Sequence, residues 1–162
     1  MTGFRLHGAN PEKLYEAFGI PMPEKICDFS TNTNVVKWNG SCGFDLAKIL
    51  SEYPDDDSSE LRALIAEQNG CSAENALVTN GSNEAIYLLA SCLTGGLNCL
   101  LQPLYGEYGR ALSAFGARTV DASSLSALPR SCASVWICNP CNPTGKFIEN
   151  GELEQVLSSH KD

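Results

Sequence analysis

Two cysteines and two asparagine-proline steps crowd into the stretch ICNPCNPTG, residues 137–145. A Cys-x-x-Cys pair can hold zinc or exchange a disulfide. Zinc needs further ligands, usually a second closely spaced Cys or His pair. The only histidines, His7 and His160, stand at opposite ends of the chain. A thioredoxin-type pair opens a helix, whereas Pro140 and Pro143 flank Cys141 and a Thr-Gly step follows. Neither a metal nor redox chemistry is therefore expected. The stretch reads as a rigid loop presenting Asn142, whose carboxamide can donate to a phenolate-like oxygen. An Asn-Pro bond in such a loop is open to the cis form.

Two other loops carry suggestive residues. In VTNGSNEA (78–85), Gly81 lets the backbone turn tightly and approach a ligand. The amides of Ser82 and Asn83 then open a helix, where free N–H groups and the helix dipole favour an anion such as phosphate. The plainer alternative is a glycine turn with a polar cap; the lysine of a P-loop and the three glycines of a dinucleotide fingerprint are missing. In QPLYGEYGRA (102–111), Tyr105 follows a strand and offers a flat face to a planar ring. Taken alone it is better read as an interfacial tyrosine, with Tyr108 as the competing aromatic.

The elements that must position these loops follow from periodicity. ANPEKLYEAFG, FDLAKILSEYP and PDDDSSELRALIAEQNG read as helices, the last with Asp57 and Glu60 at capping-box spacing and Gly70 as its stop. KICDFSTNTN reads as a short extended piece entering a polar loop. From there strands alternate with helices: ALVT, NCLLQ, RTVDA and SVWICN as strands; NGSNEAIYLLASCL, PLYGEYGRALSAFG and NGELEQVLSSH as helical stretches. This alternation predicts an α/β fold, a mostly parallel sheet with helices on both faces. Ligands in such sheets bind beyond the C-terminal strand ends, where the three loops lie.

Composition sets the outer limits. The chain has 162 residues, 43% hydrophobic and 19% charged, with net charge −8. That suits a soluble globular protein and disfavours nucleic acid or an anionic membrane as partner. No apolar run approaches the ~20 residues of a membrane span, and MTGFRLHGANPEK lacks a signal-like segment, so a cytoplasmic location is expected. The eight cysteines are scattered and are expected to be reduced, buried small residues.

Taken together, the phosphate-type turn, the aromatic and the Asn-Pro-Thr-Gly loop resemble the cofactor domain of fold-type I pyridoxal-phosphate enzymes, the class I/II aminotransferase superfamily. The resemblance implies that Gly81, Ser82 and Asn83 hold the phosphate of pyridoxal 5'-phosphate, that Tyr105 stacks on its ring, and that Asn142 donates to its ring hydroxyl oxygen. HGAN (7–10), DFSTNTN (28–34), YPDDDSSELRALIA (53–66) and YGEYGRALSAFG (105–116) resemble threonine-phosphate decarboxylases of cobalamin biosynthesis, with histidinol-phosphate aminotransferases as close cousins. This likeness runs from about His7 to about Gly145.

The resemblance implies decarboxylation of L-threonine O-3-phosphate, or amino transfer to or from a histidinol-phosphate-like amine. It further implies a homodimer and His7, Gly8 and Asn32 as substrate-side residues. Read alone, His7 is an exposed histidine and Asn32 an Asx turn. Residues 1–45 are expected to form an N-terminal arm and small-domain segment, and residues 46–162 the first part of the large cofactor domain.

Three departures stand out. Ala9 replaces the second glycine usual in the first motif, VVKWNG follows NTN where Pro-Leu-Gly is usual, and family members are considerably longer. The Schiff-base lysine and the aspartate facing the pyridinium nitrogen are expected downstream. Lys146 and Lys161 lack the setting of such a lysine, so the chain alone is expected to give no turnover; an inactive fragment with at most weak phosphate binding is a further alternative. An unpaired sheet edge is also expected to make it prone to aggregation.

Overall fold

Asn10 followed by proline starts the first helix, α1 (Pro11–Ala17), because proline's fixed φ suits the first helical position and its missing N–H has no helical partner to lose. The computed structural model describes residues 10–30, 34, 36, 39–40 and 43–159. Asp45 caps α2 (Leu46–Ser51), accepting the Lys48 N–H at 3.1 Å. The chain divides into two units, Met1–Pro54 and Asp55–Asp162. None of the described residues of the first unit is buried; Phe29 and Tyr53 are 96% and 99% exposed. The extended piece expected near Lys25 forms no strand; Asp28 instead accepts from the Ser30 N–H and hydroxyl.

The second unit opens with α3 (Ser59–Asn69), closed by Gly70 in the left-handed conformation. The capping box expected from Asp57 and Glu60 is not used. Asp55 reaches the helix start instead, taking the Ser59 N–H at 2.7 Å and its hydroxyl at 2.8 Å, while Asp57 pairs with Arg62. Spacing alone could not separate two aspartates so close to one helix start. Arg62 also donates to the carbonyls of Ala73 and Ala76, tying α3 to the 3-10 turn Ala73–Asn75.

Three parallel strands follow: β1 (Leu97–Leu101), β2 (Arg118–Ala122) and β3 (Ser134–Trp136), in the order β2-β1-β3. Leu97 pairs with Arg118 and Asn98 with Ser134. The helices are α4 (Ser82–Cys92), α5 (Glu107–Ala114) and α6 (Asn150–Ser159).

Because side chains alternate across a strand, β1 serves two cores. Leu100 joins Ile86, Ala90, Ala111, Leu112 and Trp136 against α4 and α5. Cys99 and Leu101 join Ala122 and Leu128 on the other face, with Val156 of α6 beside them. The expected parallel α/β sheet, with helices on both faces, is therefore present.

Asn98 is fully buried in β1. Its amide nitrogen donates to the carbonyls of Leu93, Gly96 and Arg118, and its oxygen accepts the Ser134 hydroxyl at 2.6 Å. Trp136 Nε1 donates to the same Ser134 oxygen.

Residues 76–79, expected as a strand, pair with none of the described strands. Leu77 is 72% exposed, so β-propensity here finds no neighbour to complete a ladder. The cysteine expectation also needs correction. Of the described cysteines only Cys99 is buried; Cys27, Cys71 and Cys92 are exposed, and Cys132, Cys138 and Cys141 are half-buried. An apolar sequence neighbourhood does not bury a residue on the outer side of a helix or loop. No described helix is long and apolar enough to cross a membrane.

Candidate functional site

Gly81 precedes α4 with φ 84° and ψ 161°, a conformation essentially reserved for glycine. A Cβ built there would meet nothing within 4 Å, so backbone conformation, and not crowding, demands the glycine. It aims the first amides of α4, from Ser82 onward, outward at an exposed helix start. Beside them the Asn80 N–H donates to Glu84.

β1 delivers the second loop. Past its end, the Tyr105 hydroxyl donates to the Asn83 side-chain oxygen at 3.3 Å. Tyr105 stands edge-on to Tyr108, ring centres 5.9 Å apart, and Tyr108 lies 5.4 Å from Trp136. Both tyrosines are half-buried, so the aromatic row leads from the core to the start of α4. Burial, and secondarily the neighbouring Cys138 sulfur, pushes the Tyr108 phenol above its ordinary value. Tyr108 is therefore a neutral wedge bracing Tyr105.

β3 delivers the third loop. Asn139 clamps its two arms, donating to the Ile148 carbonyl at 2.9 Å and accepting the Ile148 N–H at 2.8 Å. The Cys141 N–H donates to the Lys146 carbonyl, and the Gly145 N–H to the Cys141 carbonyl. Three X-Pro bonds at this end are cis: Gln102–Pro103, Asn139–Pro140 and Asn142–Pro143. The Cys141 thiol donates to the Pro103 carbonyl at 3.1 Å, joining this loop to that of Tyr105. The Asn142 backbone N–H donates to Cys138 Sγ at 3.2 Å, and Asn142 itself is exposed.

Asn83 and Tyr105 are thus in direct contact, Gly81 and Ser82 lie on the same helix start, and Asn142 rides on a loop bonded to the Tyr105 loop. His7, Gly8 and Asn32 lie outside the described residues. The sequence reading missed the cysteine tie and the Tyr108–Trp136 row. Tyr105 to Asn83 spans 22 positions and Cys141 to Pro103 spans 38, so no local pattern announces them.

A cavity of about 400 Å³ opens at the same ends of β1 and β3, lined in part by Gln102, Pro103, Cys138, Cys141, Thr144 and Lys146. None of the five residues expected to hold a cofactor lines it. The α4 helix start and the half-buried Tyr105 ring therefore lie apart from this cavity's lining. A phosphate can take the α4 amides while the ring lies toward Tyr105. Among the described residues no group of His, Cys, Asp and Glu could hold a metal ion.

Comparison with known proteins agrees with this architecture. A family model described as aminotransferase class I and II matches residues 27–162. Threonine-phosphate decarboxylase of Salmonella typhimurium is 30% identical over 96% of this chain and 46% of its own. Histidinol-phosphate aminotransferase 1 of Bacillus cereus is 29% identical over 94% of this chain and 44% of its own. The solved structure of L-threonine-O-3-phosphate decarboxylase from Porphyromonas gingivalis superposes with a TM-score of 0.63 at 26% identity, covering 72% of this chain and 37% of that one. The chain therefore spans less than half the length of these relatives.

Proposed function

The chain belongs to the class I and II aminotransferase family, and from that premise we propose that it forms the phosphate- and ring-holding part of a pyridoxal 5'-phosphate enzyme acting on a phosphorylated amino acid. The observation that carries this reading is the Tyr105–Asn83 hydrogen bond, which brings the Tyr105 ring to the exposed start of α4. Ser82 and Asn83 hold the phosphate by backbone N–H groups and the Ser82 hydroxyl. Gly81 gives those amides their direction. Tyr105 supports the ring, and Asn142 donates to its hydroxyl oxygen. When bound, the cofactor supplies an electron sink for bond cleavage at the substrate's α-carbon; the residues of this chain hold and orient it.

Within this class we favour decarboxylation of L-threonine O-3-phosphate, the step serving cobalamin synthesis. It is supported by the HGAN start and by the likeness to a threonine-phosphate decarboxylase in both sequence and structure. Amino transfer on a histidinol-phosphate-type amine is the second reading, supported by the 29% identity to an aminotransferase. His7, Gly8 and Asn32 are proposed for the substrate side, and the whole enzyme is proposed to act as a cytoplasmic homodimer.

Titration of the chain with pyridoxal 5'-phosphate, followed by quenching of its aromatic fluorescence, tests the cofactor site. Tyr105→Ala is expected to weaken binding about tenfold or more, about 1.4 kcal/mol, the order of one stacking contact. Equal affinity in the variant would refute the site. In a full-length protein carrying this chain, phosphothreonine is expected to release carbon dioxide without a keto acid; keto-acid-dependent amino transfer would establish the second reading instead. The chain alone, with added cofactor, is expected to give no turnover.

A further inference from the structure

We propose that Cys138 and Cys141 form a thiol–disulfide exchange site on the loop that carries Asn142. The flanking prolines argued against such a pair in the sequence, and the structure adds what spacing lacked. The Cys138 sulfur accepts the Asn142 N–H at 3.2 Å, and that nitrogen is bonded directly to the Cys141 carbonyl carbon. The first sulfur therefore lies against the peptide bond that leaves the second cysteine, two residues beyond the Pro140 carbonyl its own thiol reaches at 3.4 Å. Both residues are half-buried and line the same cavity of about 400 Å³, through which a small reagent can enter. At present the Cys141 thiol is turned to the Pro103 carbonyl.

The oxidant is a small-molecule disulfide, RSSR. Cys138 attacks one sulfur of RSSR, forming a mixed disulfide; the released thiolate takes up the proton that Cys138 gave up. Cys141 then attacks the Cys138 sulfur, closing the protein disulfide and releasing the second RSH. Two protein thiols are oxidised and one RSSR is reduced to two RSH. Closing the bond draws Cys141 away from Pro103 and so removes the tie between the Asn142 and Tyr105 loops. This last consequence rests on the functional reading above: the oxidised chain holds pyridoxal 5'-phosphate less tightly.

The chain is incubated with oxidised glutathione, remaining thiols are alkylated in acid, and peptides are weighed. The peptide containing Cys138 and Cys141 is expected to lose two hydrogens and escape alkylation. Peptides with the exposed Cys27, Cys71 and Cys92 are expected to end as glutathione adducts or alkylated thiols. In Cys141→Ser the reaction is expected to stop at a glutathione adduct on Cys138. Alkylation of both loop cysteines, or persistent glutathione on both in the unaltered chain, overturns the exchange site. A second arm compares cofactor affinity before and after oxidation, with a several-fold loss expected. Unchanged affinity with the disulfide formed overturns the coupling alone, and no binding by the reduced chain overturns the functional reading alone.

Discussion

The unit ending at Pro54 and the unit starting at Asp55 both contain capped helices, but only the second buries what it caps. In the first, α1 and α2 contribute no buried residue, and Leu50 is 79% exposed. In the second, Ala90, Cys99, Ala111 and Leu112 are fully buried around the sheet. Local signals such as Asn10-Pro11 or Asp45 are enough to start a helix, but tertiary burial supplies most of a helix's stability. The residues proposed to hold a cofactor stand on the packed unit, Tyr105 and Asn142 on loops leaving β1 and β3 and the other three at the start of α4. The substrate-side candidates His7, Gly8 and Asn32 belong to the other.

The sharpest way to break this contrast is a matched pair of truncations. Leu112→Ala removes a fully buried side chain and is expected to cost about 2–5 kcal/mol. Leu50→Ala, at an exposed position, is expected to stay within about 0.5 kcal/mol. Denaturant melts of both variants check this, and equal losses would show that the first unit has a core of its own.

Glycines give the next contrast. A Cβ at Gly96 would collide with that of Ala133, whereas one at Gly43 meets nothing within 4 Å. Gly96→Ala is expected to destabilise by about 1–3 kcal/mol, the usual cost of overpacking. Gly43→Ala is expected to leave the melting midpoint nearly unchanged.

Acid gives the smallest effect. Hydrogen bonds from the Ser59 hydroxyl and amide hold the Asp55 carboxyl below the usual aspartate range. Its folded pKa is below its unfolded one, so its contribution is complete above about 4 and fades as pH falls through the lower folded value. The Ser59 amide resonance is expected to shift across that window while amides of β1 stay in place. A Ser59 shift that tracks the ordinary aspartate range, or none at all, would remove Asp55 as the cap of α3.

These contrasts also separate what the sequence could tell from what it could not. RTVDA was readable as a strand, and β2 runs from Arg118 to Ala122, because alternation and turn signals bound it on both sides. SVWICN was read too long, since β3 stops at Trp136 where the loop of cis prolines and the Asn139 clamp takes over. The start of α4 after Gly81 was legible from turn chemistry. The Tyr105–Asn83 contact was not, because it depends on how a strand and a helix are brought side by side. The choice of Asp55 over Asp57 as cap was equally hidden, since Asp57 pairs with Arg62 instead.

Asn98 carries one further consequence. Its amide reaches the backbone of β2, and its oxygen holds the side chain of Ser134 in β3. Sliding β3 by a single residue would put Ala133 or Val135 in place of Ser134 and leave the buried amide oxygen without its hydroxyl. Asn98 therefore works as an alignment key for the sheet, accepting one stagger and rejecting the next. That stagger sets the heights at which the chains leaving β1 and β3 emerge, so a side chain beneath the rim governs whether the loops of Tyr105 and Asn142 come out level.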